Sequence, residues 1–176
     1  MNFTLRPWKL SDLDSLVKYA NNPKIAANLT NAFPHPYYRE NGEAFIIMVM
    51  KYNPVQVFAI DIDGEACGGI GLHPQADVHE KNMELGYWLA EPFWGQGIVT
   101  SAVNQIVKYG FKTFDTYRIF ARPFGTNIAS QKLLEKAGFA LECRFEKTIF
   151  KNGEYQDELF YAMRRENLSE LVNLDV

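Results

Sequence analysis

The segment FWGQGIVTSAV, residues 93–103, constrains this chain more than any other stretch. Gly95 and Gly97 stand one residue apart, just before apolar pairs at 98/99, 102/103, 106/107 and 110/111, a spacing of four that marks a helix with one buried face. No acid or base occurs between Pro92 and Val107. The first turn of a helix carries unpaired N–H groups and roughly half a positive charge, which sequences ordinarily answer with Asp or Glu. Glycine at 95 and 97 lets main-chain N–H groups approach an incoming group with no side chain in the way. Two readings fit: a cradle for a phosphate-bearing ligand, or a tight strand-to-helix turn ahead of a buried helix. A P-loop is excluded because Gly-Lys-Ser/Thr is absent, and a dinucleotide fingerprint because Thr100 stands where a third glycine belongs.

Length and composition narrow the classes. With 176 residues, 47% of them hydrophobic, one domain over residues 1–176 can bury a sizeable core. Net charge is -3 and the pI about 5.6, with Lys and Arg scattered, so nucleic acid is not an expected partner. The start, MNFTLRPWKL, has no apolar signal region, and the longest apolar run, residues 44–50, falls far short of the ~20 residues that span a bilayer. A cytoplasmic protein without a membrane partner is the expectation. Cys67 and Cys143 form no short motif, so no disulfide framework or metal site is expected and both read as core thiols.

Along the chain, residues 3–8 read as a strand stopping at Ser11-Asp12, an N-cap for a short helix carrying Leu13, Leu16, Val17 and Ala20. The Pro-rich aromatic loop FPHPYY, residues 33–38, precedes a second helix on which Ala44, Ile47, Met48 and Met50 recur at helical spacing. Period-two patterning then marks strands over 55–62, 67–72 and 82–90, an antiparallel meander turning at Asp63-Gly64. The GGIG of residues 68–71 lies inside a strand and reads as close backbone packing or a bulge. After the long helix, ending near Phe114, come a short strand over 117–121, a helix over 126–137 closed by Gly138 and Phe139, and a hairpin turning at Asn152-Gly153.

This order of elements resembles the GNAT acetyltransferases, and three segments carry the likeness: MELGYWLAEPFWGQGIV (83–99), NIASQKLLEKAGF (127–139) and FKNGEYQDELFYAM (150–163). The chain is similar in particular to the branch that acetylates the α-amines of ribosomal proteins, through FPHPYY, the Tyr87-Trp88 pair ending the fourth strand, Trp94-Gly95-Gln96-Gly97, and Asn127-x-x-Ser130. The resemblance implies an α/β (α+β) acyl-CoA N-acyltransferase fold, with a mixed, mostly antiparallel central sheet flanked by helices. It also implies acetyl-CoA as cosubstrate, an amine acceptor, direct attack in a ternary complex, and a monomer or homodimer. Trp94 replaces the superfamily's frequent Gln or Arg, Val99 its Gly or Ala, and Ser101 the branch's usual Glu. Leu134 stands where the general GNAT acid is a Tyr; the branch lacks that Tyr too and uses the serine of Asn-x-x-Ser.

On this likeness the pyrophosphate lies against Trp94, Gly95, Gln96, Gly97, Ile98, Val99 and Thr100, and the pantetheine arm runs beside the main chain of Trp88, Leu89 and Ala90. Asn127 donates its amide to the arm, or caps its helix, or does both. An amine attacks a thioester only when neutral, so one proton must leave the ammonium and the departing thiolate needs a donor. Glu84 shares a strand face with Gly86 and Trp88 and is the candidate base, the alternative being a paired sheet carboxylate. Ser130 is the candidate donor to the thiolate, or an ordinary first-turn serine. Phe33, Tyr37 and Tyr38 are candidate pocket walls or loop packing, His35 a candidate pocket residue or a solvated loop histidine, and Asp157 a substrate-side acid or a hairpin ion pair. The competing function is a non-catalytic acyl-CoA-binding sensor, which needs neither Glu84 nor Ser130.

Overall fold

A sheet whose inner strands are buried, β3 over seven consecutive residues, and helices buried along one side build the architecture, which a computed structural model describes for residues 2–168. In chain order the elements are β1 (Thr4–Pro7), α1 (Leu13–Ala20), α2 (Pro23–Ala26), α3 (Arg39–Val49), β2 (Val57–Ile62), β3 (Glu65–Pro74) and β4 (Asn82–Leu89). They continue as α4 (Ile98–Thr113), β5 (Arg118–Ala121), α5 (Ile128–Lys136), β6 (Ala140–Lys151) and β7 (Glu154–Arg164). The sheet has seven strands in the order β1-β2-β3-β4-β5-β7-β6, and β4 with β5 is its parallel pair. The expected mixed, mostly antiparallel sheet is therefore present.

The chain forms two compact units, one made of the residues up to Gly71 with Tyr87–Ala102, the other of Leu72–Gly86 with the residues from Val103 on. In the first, Leu13, Leu16 and Ala20 of α1 and Ile46 and Val49 of α3 pack with Trp8, Tyr37, Val57, Ala59 and Ala66. Each such large side chain removed from water contributes about 1.5 to 3 kcal/mol. Gly42 lets α3 approach α1: a Cβ there would stand 2.8 Å from a Leu13 methyl. In the second unit Val103, Ile106, Val107 and Phe111 of α4, Ile119 of β5, Leu134 of α5, and Leu159, Tyr161 and Met163 of β7 are all buried.

Three expectations need correction. On α3 the inward face is Gly42, Ile46 and Val49, with Phe45 half-buried, while Ala44, Ile47, Met48 and Met50 are all exposed. That helix is apolar on two sides, so periodicity alone could not say which stripe meets α1. The short helix α2 was not expected, although Asn22-Pro23 signals it: the Asn22 side chain accepts from Lys24 N at 2.8 Å and Pro23 takes the first helical position. Cys67 is the core thiol foreseen, but Cys143 is only half-buried, because it sits on β6 at the end of the sheet. Both turns read from Asp-Gly and Asn-Gly are present, with φ of 52° and 88° at Asp63 and Gly64 and of 54° and 83° at Asn152 and Gly153. The GGIG glycines do serve close packing: Cβ atoms at Gly68 and Gly69 would lie 2.6 Å from the Trp88 carbonyl oxygen and 2.9 Å from the Trp88 indole nitrogen.

Candidate active site

The first unit carries the helix start singled out by the sequence. Gly95 and Gly97 have φ of +74° and +76°, and nothing lies within 4 Å of a Cβ built on either, so it is the left-handed backbone that calls for glycine here. The hydrogen bond from Ser101 N to Gly97 O (3.1 Å) opens the ladder of α4, which places the N–H groups of Ile98, Val99 and Thr100 ahead of it. No acid stands in that first turn. The loop before it is braced on both sides. Trp94 Nε1 donates to Leu89 O at 2.7 Å, and Gln96 Nε2 to Pro92 O at 3.2 Å. Glu91 accepts from Asn22 Nδ2 at 2.8 Å and pairs with Lys24.

At the end of β4, Ala90 uses both main-chain groups within the protein: its N–H donates to Cys67 O (2.8 Å) and its carbonyl accepts from Phe93 N (3.0 Å). Leu89 O already holds the Trp94 indole. The aromatic loop splits by residue. Tyr37 is a core residue at 4% exposure, and burial pushes its phenol up to about 12. Phe33 packs between Tyr37 and Trp88, at ring separations of 5.1 and 5.9 Å. His35 is exposed.

The second unit carries the titratable candidates. Glu84 is half-buried on β4, and Arg122, just past β5, grips it with a two-pronged fork: Nε to Oε1 and Nη2 to Oε2, both 2.9 Å. The parallel register sets Glu84 beside Phe120, two residues from Arg122. The same guanidinium reaches Glu158 Oε1 at 3.4 Å. Asn127 caps α5, accepting from Ser130 N at 3.1 Å, so the capping role is present and Ser130 is fixed in the first turn. Leu134, at the position of the superfamily's tyrosine, is fully buried at 0% exposure. Asp157 accepts from Lys147 N (2.9 Å) and from Arg144 Nε (2.7 Å), and these two contacts, the Lys147 bond first, hold its carboxyl below the usual value. It braces the β6–β7 hairpin.

Sequence reasoning missed Arg122, Glu158 and His73. The sequence offered no local signal for the last, because β3 and β4 are joined by a long connection and only their pairing sets what faces Glu84. Among the described residues no cluster of His, Cys, Asp and Glu could hold a metal ion, and no helix is long and apolar enough to cross a membrane.

A seven-stranded mixed sheet with an acid-free, glycine-led helix start at the end of its fourth strand defines an acyl-CoA-dependent transferase fold. Residues 2–140 match the acetyltransferase (GNAT) domain, and the chain belongs to that family. It is 33% identical over 101 residues to YdaF of Bacillus subtilis (strain 168), a match covering 57% of this chain and 55% of that protein. It is 25% identical over 164 residues to the uncharacterized N-acetyltransferase YnaD of the same organism, covering 92% of this chain and 93% of that one. The solved structure of RimL, a ribosomal L7/L12 alpha-N-protein acetyltransferase in complex with coenzyme A, superposes with a TM-score of 0.82 at 21% identity, over 93% of this chain and 94% of that one.

Proposed function

We propose that this chain transfers acetyl from acetyl-CoA to the α-amine of a protein N-terminus. The observation that carries the cofactor half is the start of α4: three N–H groups ahead of the ladder, two left-handed glycines and no acid within the turn. A pyrophosphate dianion at such a helix start gains about 0.3 to 2 kcal/mol from the helix field beside its hydrogen bonds. Trp94, Gly95, Gln96, Gly97, Ile98, Val99 and Thr100 hold it. With Ala90 already engaged on both sides and Trp88 set across from Gly69 in the same ladder, the pantetheine arm takes its main-chain bond at Leu89, beside Trp88, and the Trp94 indole gives up Leu89 O as it docks. Asn127 keeps its Oδ1 on the helix cap and turns its amide to the arm.

The amine loses one proton at the Glu84 face of β4 before attack. The second leaves after attack and reaches the departing thiolate through the Ser130 hydroxyl. The acceptor class rests on the likeness to RimL, whose substrate is a ribosomal protein, and on the FPHPYY loop. A protein that only senses acyl-CoA requires neither Glu84 nor Ser130. The test is thiol release from acetyl-CoA against N-terminal peptides, polyamines, aminoglycosides and free amino acids. Release with the peptides alone supports the reading. Release with another amine moves the acceptor class, and tight acetyl-CoA binding with no release on any amine makes the chain a sensor.

A further inference from the structure

His73 is the ninth residue of β3, and its position is fixed by main-chain pairing with β4. Gln75 N donates to Asn82 O at 3.0 Å, so two residues further along each antiparallel strand His73 stands across from Glu84. Residues opposed in this way share a face, with Cβ atoms about 4.5 to 5.5 Å apart. The ring leans along β4 towards Gly86: a Cβ on that glycine would lie 3.5 Å from His73 Nε2 and 3.8 Å from Cδ2, with no other atom among its near neighbours. Gly86 thus leaves a bare patch of strand beside the imidazole nitrogen.

The charges on this face are ordered. Both Glu84 oxygens already accept from Arg122, which also reaches Glu158 on β7. His73 is exposed as a residue, so an amine can reach it, yet the atoms crowding its ring lower its pKa below the ordinary 6.5, against a raising influence from Glu84. At neutral pH it is an imidazole with a lone pair, next to a carboxylate that attracts the proton once taken.

We propose that His73 takes the first proton from the acceptor amine and that Glu84, held by Arg122, stabilises the imidazolium that forms. This rests on the acetyltransferase reading. The ammonium N–H bond breaks as the proton passes to His73 Nε2, and the freed lone pair attacks the thioester carbonyl carbon. The C–S bond then breaks, the thiolate receives the second amine proton, and His73 returns the first to solvent. Each turnover releases one acetylated amine, one thiol and one proton.

The test uses the full chain as wild type, His73→Gln and Glu84→Gln, with pH profiles of kcat/KM, acetyl-CoA affinity by calorimetry, and NMR titration of the His73 ring. The proposal expects His73→Gln to keep its melting temperature and acetyl-CoA affinity, to lose about 10²- to 10⁴-fold in kcat/KM, and to lose the acidic limb of the profile. Glu84→Gln should retain that limb displaced to lower pH, since the imidazolium loses its partner. A His73→Gln enzyme with the wild-type rate and limb, or a limb abolished by Glu84→Gln alone, overturns the proposal. If the wild type acetylates no amine, the acetyltransferase reading fails by itself. The NMR arm then still decides the pairing: a His73 midpoint that Glu84→Gln does not lower refutes it.

Discussion

Gly68→Ala tests the coupling between strand packing and cofactor binding. A Cβ at this position would stand 2.6 Å from the Trp88 carbonyl oxygen and 3.1 Å from Leu89 Cα, both main-chain atoms, where ordinary contact begins at 3.4 Å. The deficit of 0.8 Å cannot be relieved by turning a side chain, so β3 and β4 must part just where the pantetheine arm is proposed to lie. Overpacking of this kind costs about 1 to 3 kcal/mol, and the methyl's restriction of the unfolded chain returns about 0.4 to 1 kcal/mol. Because the clash is with main chain, the upper part of the range applies and the expected net loss is about 2 kcal/mol. For a chain of this size that lowers Tm by about 4 to 8 °C. Urea unfolding measures the first quantity and scanning calorimetry the second. Titration with acetyl-CoA should show a loss of about tenfold, equivalent to 1.4 kcal/mol. A Gly68→Ala protein within about 0.5 kcal/mol of wild type, the size of an ordinary surface change, and with unaltered acetyl-CoA affinity, would refute the reasoning.

Three further outcomes are expected. Gln96→Glu places a carboxylate at the exposed mouth of the α4 cradle, so acetyl-CoA affinity should fall by about 1 kcal/mol at low salt and recover in part at high salt; a salt-independent affinity equal to wild type in calorimetry counts against a pyrophosphate there. Ser130→Ala should lower kcat while leaving acetyl-CoA affinity in place, because the contact proposed for it with the thiolate forms in the transition state; equal losses in both would return Ser130 to an ordinary first-turn role. Burial alone would push the Asp12 carboxyl up, but hydrogen bonds from Arg6 (2.7 and 2.8 Å) and Lys9 N (2.9 Å) hold it below its ordinary value of 3.8. A depressed carboxyl stabilises the fold above its unfolded pKa and is lost as pH falls through the folded one, so Asp12→Asn should cost about 2 kcal/mol at neutral pH. In urea melts across pH, its gap to wild type should close below about pH 4.

Local chemistry by itself determined a large part of this protein. Asp63-Gly64 and Asn152-Gly153 fix their turns because both residues of each pair must take positive φ, and Gly138, at φ +81°, ends α5 for the same reason. The acid-free start of α4 is likewise a property of consecutive residues, which is why the candidate cradle could be proposed before any packing was known. What tertiary structure decided involves partners far apart in the chain. On α3 two apolar stripes compete, and only the approach of α1 at Gly42 selects Ile46 and Val49. Asp157 and Asn127 keep the same identity in either of their readings, and the hairpin and the helix start supply the neighbours that make one a brace and the other a cap. Glu84 was visible as a lone acid on a strand, but its fork comes from Arg122, 38 positions away, and depends on β4 and β5 lying parallel. His73 carries no motif at all. Its place opposite Glu84 follows from strand register, and register is set by which side chains the sheet buries over its whole length, a sum no local window contains.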